Sequence, residues 1–101
     1  MIKITADKRI EKFLEKLSEI DRARVNRTTK FFEDKGFLLD TRYLKKLSSK
    51  IWELRPGKMR LLFGIVGSKA IVVNAFTKKR QKTPLNELKV AERRLTEYEN
   101  K

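Results

Sequence analysis

The sequence predicts an α+β domain in which an N-terminal strand and a helical hairpin precede an antiparallel β-meander and a C-terminal helix. Two observations lead to this prediction. Apolar residues recur at helical spacing before Gly36 and after Thr83, but between them, from Ile51 onward, they alternate with polar residues as in half-buried strands. The chain has 101 residues and 40% of them are hydrophobic, which suits one domain, residues 1–101, with a modest core.

The first part of the chain predicts one short strand and two helices. Ile2 and Ile4 flank Lys3 in the alternation of a strand. A helical stripe follows, formed by Ile10, Phe13, Leu14, Leu17 and Ile20. Asp21 is predicted to cap a second helix, which ends at Gly36. Two short helices bury little by themselves, so we expect their stripes to pack against the sheet.

The first turn of the meander predicts a division between an apolar and a charged face. Pro56-Gly57 is typical of a turn. As a two-residue loop it places Leu54 opposite Met59 and Glu53 opposite Arg60. All apolar partners then share one face of the sheet, and the charged partners share the other.

The second turn sets the predicted register of the last strand. Gly67-Ser68 suits a two-residue loop, which places Arg60 opposite Ala75. Lys79 then lies on the face of Arg60, whereas Lys78 points with Phe76 toward the packed face. The large aromatic residues of the meander, Phe76 included, are expected in the core.

A capped helix is predicted to close the chain. Thr83 is the expected N-cap and Pro84 the first helical residue. The apolar stripe of this helix consists of Leu88, Ala91, Leu95 and Tyr98. The predicted element order is therefore β–α–α–β–β–β–α.

Most of the positive charge is concentrated in one segment. The formal net charge is +13, of which +11 falls within residues 41–82, where twelve Lys and Arg accompany one acid, Glu53. The basic residues are Arg42, Lys45, Lys46, Lys50, Arg55, Lys58, Arg60, Lys69, Lys78, Lys79, Arg80 and Lys82. Such a block indicates a polyanionic partner, most often nucleic acid, although a basic solvated surface is the alternative.

The composition excludes several classes of chemistry. The chain has no Cys and no His, which excludes disulfides, thiol nucleophiles and imidazole catalysis. Without these residues and without an acidic cluster in the sequence, we predict no cofactor and no metal site. The apolar runs are far shorter than the roughly 20 residues that span a bilayer, so we expect a cytoplasmic protein without membrane contact.

Phosphate is the expected ligand of the basic block, and RNA cleavage is a reaction that its residues allow. Attack by a ribose 2′-hydroxyl needs a base, an acid for the leaving 5′-oxygen and positive charge at the phosphorane. Without His, a Lys is the candidate proton carrier. Glu53 is an alternative base, but an ion pair with Arg60 is the simpler prediction. Tyr43 lies among cations and is equally suited to base stacking and to packing.

Several motifs of the meander resemble one protein family. They are Trp52-Glu53-Leu54-Arg55-Pro56, Met59-Arg60-Leu61-Leu62-Phe63, Ala75-Phe76-Thr77-Lys78-Lys79 and Gln81-Lys82-Thr83-Pro84, with Glu87 and Ala91 beyond them. The chain resembles the phage-derived HigB-type toxins of the RelE/ParE superfamily of toxin–antitoxin systems. This resemblance implies a toxin that enters the ribosomal A site and cuts messenger RNA. It also implies a cognate antitoxin, commonly a helix-turn-helix protein.

The resemblance also implies roles for individual residues. Arg60 matches the family's strand arginine at the scissile phosphate, and Arg55 matches its arginine before the turn. The basic segment after the last strand is matched by Lys78, Lys79 and Lys82. We therefore predict three catalytic residues, which are Arg60, Lys79 and Lys82. The predicted RNA-binding residues are Lys45, Lys46, Arg55, Lys58, Lys78 and Arg80.

Two other functions remain open at this stage. The His and Asp of some HigB branches have no counterpart here, since the chain has no His. The ParE members of the superfamily inhibit DNA gyrase without cleaving RNA, so an inhibitor of a topoisomerase is one alternative. A non-catalytic RNA- or DNA-binding protein is the other.

Overall fold

The computed structural model describes residues 2–101 and has the predicted α+β architecture. The strands are β1 (Lys3–Ala6), β2 (Leu44–Lys46), β3 (Trp52–Leu54), β4 (Met59–Val66) and β5 (Lys69–Thr77). The helices are α1 (Lys8–Glu15), α2 (Glu19–Lys35) and α3 (Leu85–Glu99), and a single 3-10 turn covers Gly36–Leu38. The strands form one sheet in the order β1-β5-β4-β3-β2, in which β1 is parallel to β5 and every other pair is antiparallel.

The predicted element order lacks one strand. Strand β2 pairs with β3, with Leu44 opposite Leu54 and Lys46 opposite Trp52. It is three residues long and carries two exposed lysines. A segment this short has no readable alternation, and lysines are typical of edge strands because they discourage pairing with another chain.

The boundary between the first two helices also differs from the prediction. Helix α1 ends at Glu15, and Ser18 caps α2 by accepting a hydrogen bond from the Asp21 backbone N–H at 3.2 Å. Asp21 is thus a first-turn residue and not the N-cap. Ile20 matched the stripe of the first helix only by spacing, and it is 66% exposed. Gly36, with φ of 59°, is confirmed as the end of α2.

Both faces of the sheet are covered, which overturns the prediction of an entirely charged face. Helices α1 and α2 pack on one face, where the core is formed by Ile10, Val25, Phe32, Leu44, Leu54, Met59, Leu61, Phe63, Ala70 and Val72. Helix α3 packs on the other, over Ile51, Leu62 and Val73, with its own Ala91 and Leu95. Arg60, a charged residue of that face, lies beyond the N-terminal end of α3.

The close approach of α3 depends on a glycine. A Cβ at Gly64 would lie 2.5 Å from Cδ2 of Leu95, which is well inside van der Waals contact. Leu95 is fully buried there. The absence of a side chain at position 64 thus allows α3 to lie directly on β4.

The first predicted register is wrong by two residues. Leu54 lies opposite Leu61, and Glu53 lies opposite Leu62 instead of Arg60. The connection between β3 and β4 is longer than two residues, since β3 ends at Leu54 and β4 begins at Met59, and the Arg55 N–H donates to the carbonyl of Tyr43 at 2.9 Å and not to β4. A shift of two preserves side-chain parity, so the prediction of which residues share a face is kept.

The second predicted register is correct at the turn and wrong beyond it. Val66 lies opposite Lys69, which confirms Gly67-Ser68 as a two-residue loop. A β-bulge then intervenes, because Phe63 faces Val72 whereas Leu62 faces Asn74. The extra residue moves every later partner by one position. Arg60 consequently lies opposite Phe76 and not Ala75.

The bulge reverses the predicted order of the two lysines after β5. Phe76 shares the face of Arg60, and by the alternation of the strand Lys78 follows Phe76. The Lys78 N–H still bonds to the carbonyl of Lys58 at 2.7 Å, so the extended pairing continues to that point. Lys79 therefore falls on the opposite side from the one predicted.

A buried carboxylate joins the start of α1 to the end of α3. Asp7 is 5% exposed and caps α1 by accepting from the Arg9 N–H at 2.8 Å. It also accepts from the Arg9 side chain at 2.8 Å and from the Tyr98 hydroxyl at 2.6 Å. The Arg9 hydrogen bond holds the pKa of Asp7 well below its usual range, and the bond to Asp7 raises the pKa of Tyr98 to about 12.

We expect Asp7→Asn to lower the free energy of unfolding by on the order of 2 kcal/mol at pH 7. The folded-state pKa lies below the unfolded value of about 3.9, so the stabilisation is complete above that value and is lost as the pH falls toward the folded pKa. Urea unfolding of both proteins at pH 7 and at pH 3 measures the difference. It should shrink at the lower pH, and a difference that stayed constant would contradict this account. The exposed Asp34→Asn variant is the control.

Candidate functional site

A cleft of about 520 Å³ opens where β4 begins, β5 ends and α3 begins. The loop formed by residues 78–84 makes one wall of this cleft. The cationic residues that line it are Arg60, Lys78, Lys79, Arg80 and Lys82. Phe76 and the first turn of α3, with Asn86 and Glu87, also line it. Five of the nine predicted site residues therefore meet in one place.

Arg60 is held at the base of this cleft by its own hairpin. Its Nη1 donates to the carbonyl oxygens of Gly57 at 2.9 Å and Met59 at 2.7 Å, and the residue is partly buried. Burial lowers the pKa of Arg60. The nearby Arg55 cation also lowers this pKa, whereas the Glu53 carboxylate raises it. An arginine remains charged at neutral pH, because its ordinary pKa is about 12 or higher. Arg60 is thus a fixed cation.

The lysines of the loop differ in burial. Lys78 is partly buried, and its backbone is tied to Lys58. Lys79, Arg80 and Lys82 are exposed. Lys78 is therefore the most constrained cation of the loop, and it leaves β5 on the face of Arg60.

The predicted ion pair between Glu53 and Arg60 is not formed. Glu53 is 1% exposed, and its Oε1 accepts from Nε of Arg55 at 2.9 Å. Its Oε2 accepts from the hydroxyl of Thr83. The prediction failed because the register shift of two replaced Arg60 by Leu62 as the partner of Glu53 on β4.

Thr83 is consequently not the predicted N-cap of α3. Helix α3 begins at Leu85, after Pro84, and no side chain among residues 2–101 caps it. The backbone N–H groups of Glu87 and Leu88 bond instead to the carbonyl of Pro84, at 3.1 and 3.2 Å. The hydroxyl that sequence analysis assigned to the cap serves to hold the loop to β3.

Asn74 is a site residue that sequence analysis missed. It is buried at the β-bulge, and its Nδ2 donates to the backbone carbonyl of Glu87 at 3.0 Å and to the Glu87 side chain at 3.2 Å. Its Oδ1 accepts from the Ala75 N–H at 2.9 Å. Asn74 thus fixes the first turn of α3 above the cleft. An amide within the apolar run from Ile71 to Ala75 was the available signal.

The other predicted site residues lie elsewhere. Lys45, Lys46 and Arg55 line a second groove of about 470 Å³, together with Trp52 and Phe37. Lys46 lies over the ring of Trp52, with Nζ 5.4 Å from its centroid. Lys58 is exposed on the turn before β4 and lines neither cavity.

Tyr43 is partly buried. Its ring meets that of Phe31 edge to face, with centroids 6.0 Å apart, and the Arg42 guanidinium lies 5.6 Å from its centroid. Phe76 is partly buried and packs against the core under α3, as predicted, and it also lines the cleft. The bulge determines this position, because it places Phe76 on the face of Arg60.

The arrangement of the cleft suits a phosphate group. Arginine binds two phosphate oxygens with its planar fork, whereas lysines supply mobile charges around it. Within residues 2–101, no three His, Cys, Asp or Glu side chains gather in a way that would hold a metal ion. Over the same residues, no helix is both long and apolar enough to cross a bilayer.

Comparison with known proteins identifies relatives by sequence and by fold. The family described as "Phage derived protein Gp49-like (DUF891)" matches residues 12–96. A chain in the crystal structure of the archaeal RelE-RelB complex from Pyrococcus horikoshii OT3 is similar in structure, with a TM-score of 0.64 and 12% sequence identity. That similarity covers 78% of this chain and 97% of the other. No curated protein matches the sequence significantly. The structural match confirms the predicted RelE-like fold class.

Proposed function

This chain belongs to the Gp49-like family of phage-derived proteins, and we propose that it is a HigB-type toxin that cleaves messenger RNA on the ribosome. The observation that carries the proposal is the convergence of Arg60 and four loop cations on one cleft. The fold shared with a chain of a RelE-RelB complex supports a toxin that has a cognate antitoxin. We propose a helix-turn-helix antitoxin and action in the cytoplasm, where ribosomes translate.

The proposed reaction is attack of a ribose 2′-oxygen on the adjacent phosphorus. The bond from phosphorus to the 2′-oxygen forms, and the bond to the 5′-oxygen breaks. A base takes the proton of the 2′-hydroxyl, and an acid gives a proton to the departing 5′-oxygen. We propose that Arg60 stabilises the charge that the phosphorane gains, since electrostatic stabilisation of this kind is usually the largest single contribution to catalysis. This reaction needs no metal or cofactor.

The register of β5 changes which lysine we assign to proton transfer. Lys78 leaves the strand on the face of Arg60, and its backbone is fixed to Lys58 at 2.7 Å. A proton carrier must be held within hydrogen-bonding reach of the reacting oxygen. We therefore propose Lys78 in place of Lys79, with Lys82 and Arg80 binding the RNA backbone.

The cations outside the cleft are proposed to contact RNA without taking part in the reaction. Lys45, Lys46 and Arg55 line the second groove, and Lys58 lies on the turn between β3 and β4. Contacts of this kind position a polyanion and contribute to affinity.

We expect Arg60→Ala to reduce message cleavage by on the order of a hundredfold or more, because one transition-state charge contact is lost. The assay combines purified protein with translating ribosomes and maps cut sites on the message. Arg27→Ala, which removes an exposed arginine of α2, is the matched control and should cut as the wild type does. Unchanged cleavage by Arg60→Ala would remove the proposed centre of the site. Intact message with the wild type would contradict the proposed function itself.

Binding of the protein to single-stranded RNA should weaken steeply as salt rises. Each phosphate contact contributes a slope of about −0.7 in log–log form, so the five cleft cations together give roughly −3.5. Fluorescence anisotropy with a labelled oligonucleotide between low and physiological salt measures the slope. A flat dependence would favour a protein target, as in the topoisomerase inhibitors.

The two lysines after β5 are expected to differ. Lys78→Ala should slow single-turnover cleavage on bound ribosomes more than Lys79→Ala does, because Lys78 shares the face of Arg60. Lys82→Ala should weaken binding more than it slows the chemical step. A larger rate defect in Lys79→Ala would show that the bulge does not set the working geometry.

A further inference from the structure

We infer that Glu53 is a positioning residue of the site: its buried carboxylate holds the loop of residues 78–84 to the sheet and aligns Arg55. This inference rests on the proposed function for its consequence in catalysis. Its structural part concerns the folded protein alone. Glu53 is also the only acidic residue of residues 41–82, a segment that contains twelve Lys and Arg.

Glu53 is buried, so groups within the protein must satisfy its carboxylate. The residue is 1% exposed, and its neighbours across the sheet are Lys45 on β2 and Leu62 on β4. Moving a carboxylate out of water costs several kcal/mol unless partners satisfy it. Both of its oxygens are accordingly engaged, one by Arg55 and one by Thr83.

The first oxygen orients a guanidinium. Oε1 accepts from Nε of Arg55 at 2.9 Å, and the Arg55 side chain is 27% exposed. Because this bond uses Nε, the two terminal nitrogens of the fork remain for a second acceptor such as a phosphate. Glu53 thus orients Arg55 and leaves the donors on its two terminal nitrogens available.

The second oxygen holds the end of the cationic loop. Thr83 donates its hydroxyl to Oε2, directly before α3 begins. The start of the same loop is held by the bond from Lys78 to Lys58. Residues 78–84 have no regular secondary structure, so the two attachments limit their freedom. The backbone that carries the loop cations is therefore restrained at both ends before any RNA binds, which favours catalysis by pre-positioned charges.

The same geometry argues against Glu53 as the general base. A base must reach the 2′-hydroxyl of the substrate, but Glu53 is buried and both of its oxygens already accept hydrogen bonds. Its influence on the reaction passes through Arg55 and Thr83. The role is one of position, which distinguishes it from that of Arg60 in the cleft.

The test uses three variants of the full chain: Glu53→Gln, Thr83→Val and Thr83→Ser. Hydrogen exchange of the hydrogen-bonded backbone amides at the two ends of the loop, those of Lys78, Glu87 and Leu88, is the first readout, and it needs no RNA. We expect exchange to rise by on the order of tenfold in Glu53→Gln and in Thr83→Val, and to stay near the wild-type rate in Thr83→Ser, which keeps the hydroxyl. Thr96→Val is the matched control, since that hydroxyl bonds within α3 to the carbonyl of Glu92.

Single-turnover cleavage on ribosomes is the second readout. Thr83→Val should slow the chemical step by about ten- to a hundredfold with a smaller loss of binding, and Thr83→Ser should restore it. The Thr83 pair decides the matter even if Glu53→Gln does not fold. Wild-type exchange and cleavage in Thr83→Val would overturn the inference. If the wild type itself does not cut message, the proposed function fails, and the exchange of the Lys78, Glu87 and Leu88 amides still decides whether Glu53 holds the loop.

Discussion

The packing of α3 on the sheet determines where the charged cleft lies. The helix covers Leu62 and Val73 and approaches β4 closely enough that position 64 has no room for a side chain. The sheet residues in the core beneath the helix are apolar, and the buried Asn74 meets the helix at its first turn. Arg60 comes before the covered part of β4, and Lys78 comes after the covered part of β5. The five cleft cations therefore gather at the end of the sheet that α3 leaves open.

Two buried carboxylates fix the position of α3 by the same chemistry. Asp7 accepts the hydroxyl of Tyr98 near the end of the helix, and Glu53 accepts the hydroxyl of Thr83 just before its start. Each carboxylate is also bonded to an arginine two residues further along the chain. A buried charge with both kinds of partner is stable in its site, whereas loss of either partner leaves it unsatisfied. Asn74 adds a third attachment at the first turn of the helix.

The bulge in β5 changes both packing and chemistry. It inserts one residue between Val72 and Asn74 relative to β4, so Val73 packs under α3 and Asn74 reaches Glu87. Beyond the bulge, each side chain of β5 lies on the opposite face from the one that a regular pairing with β4 would give it. Phe76 and Lys78 consequently lie on the side of Arg60. One extra residue thus anchors the helix and selects which lysine leaves the strand beside Arg60.

The sequence alone determined the fold class, the end of α2 at Gly36, the two-residue turn at Gly67-Ser68 and the five cations that line the cleft. These features depend on local patterns, which are periodicity, turn residues and the density of charge. The strand β2, the bulge at Val73 and Asn74, and the partners of Glu53 and Thr83 were decided only by the tertiary structure. The physical reason is that they depend on pairing between distant segments and on the cover that α3 provides, and a single strand's alternation carries no information about either. A register change of one or two residues leaves the sequence pattern intact, but it assigns new neighbours to every charged side chain.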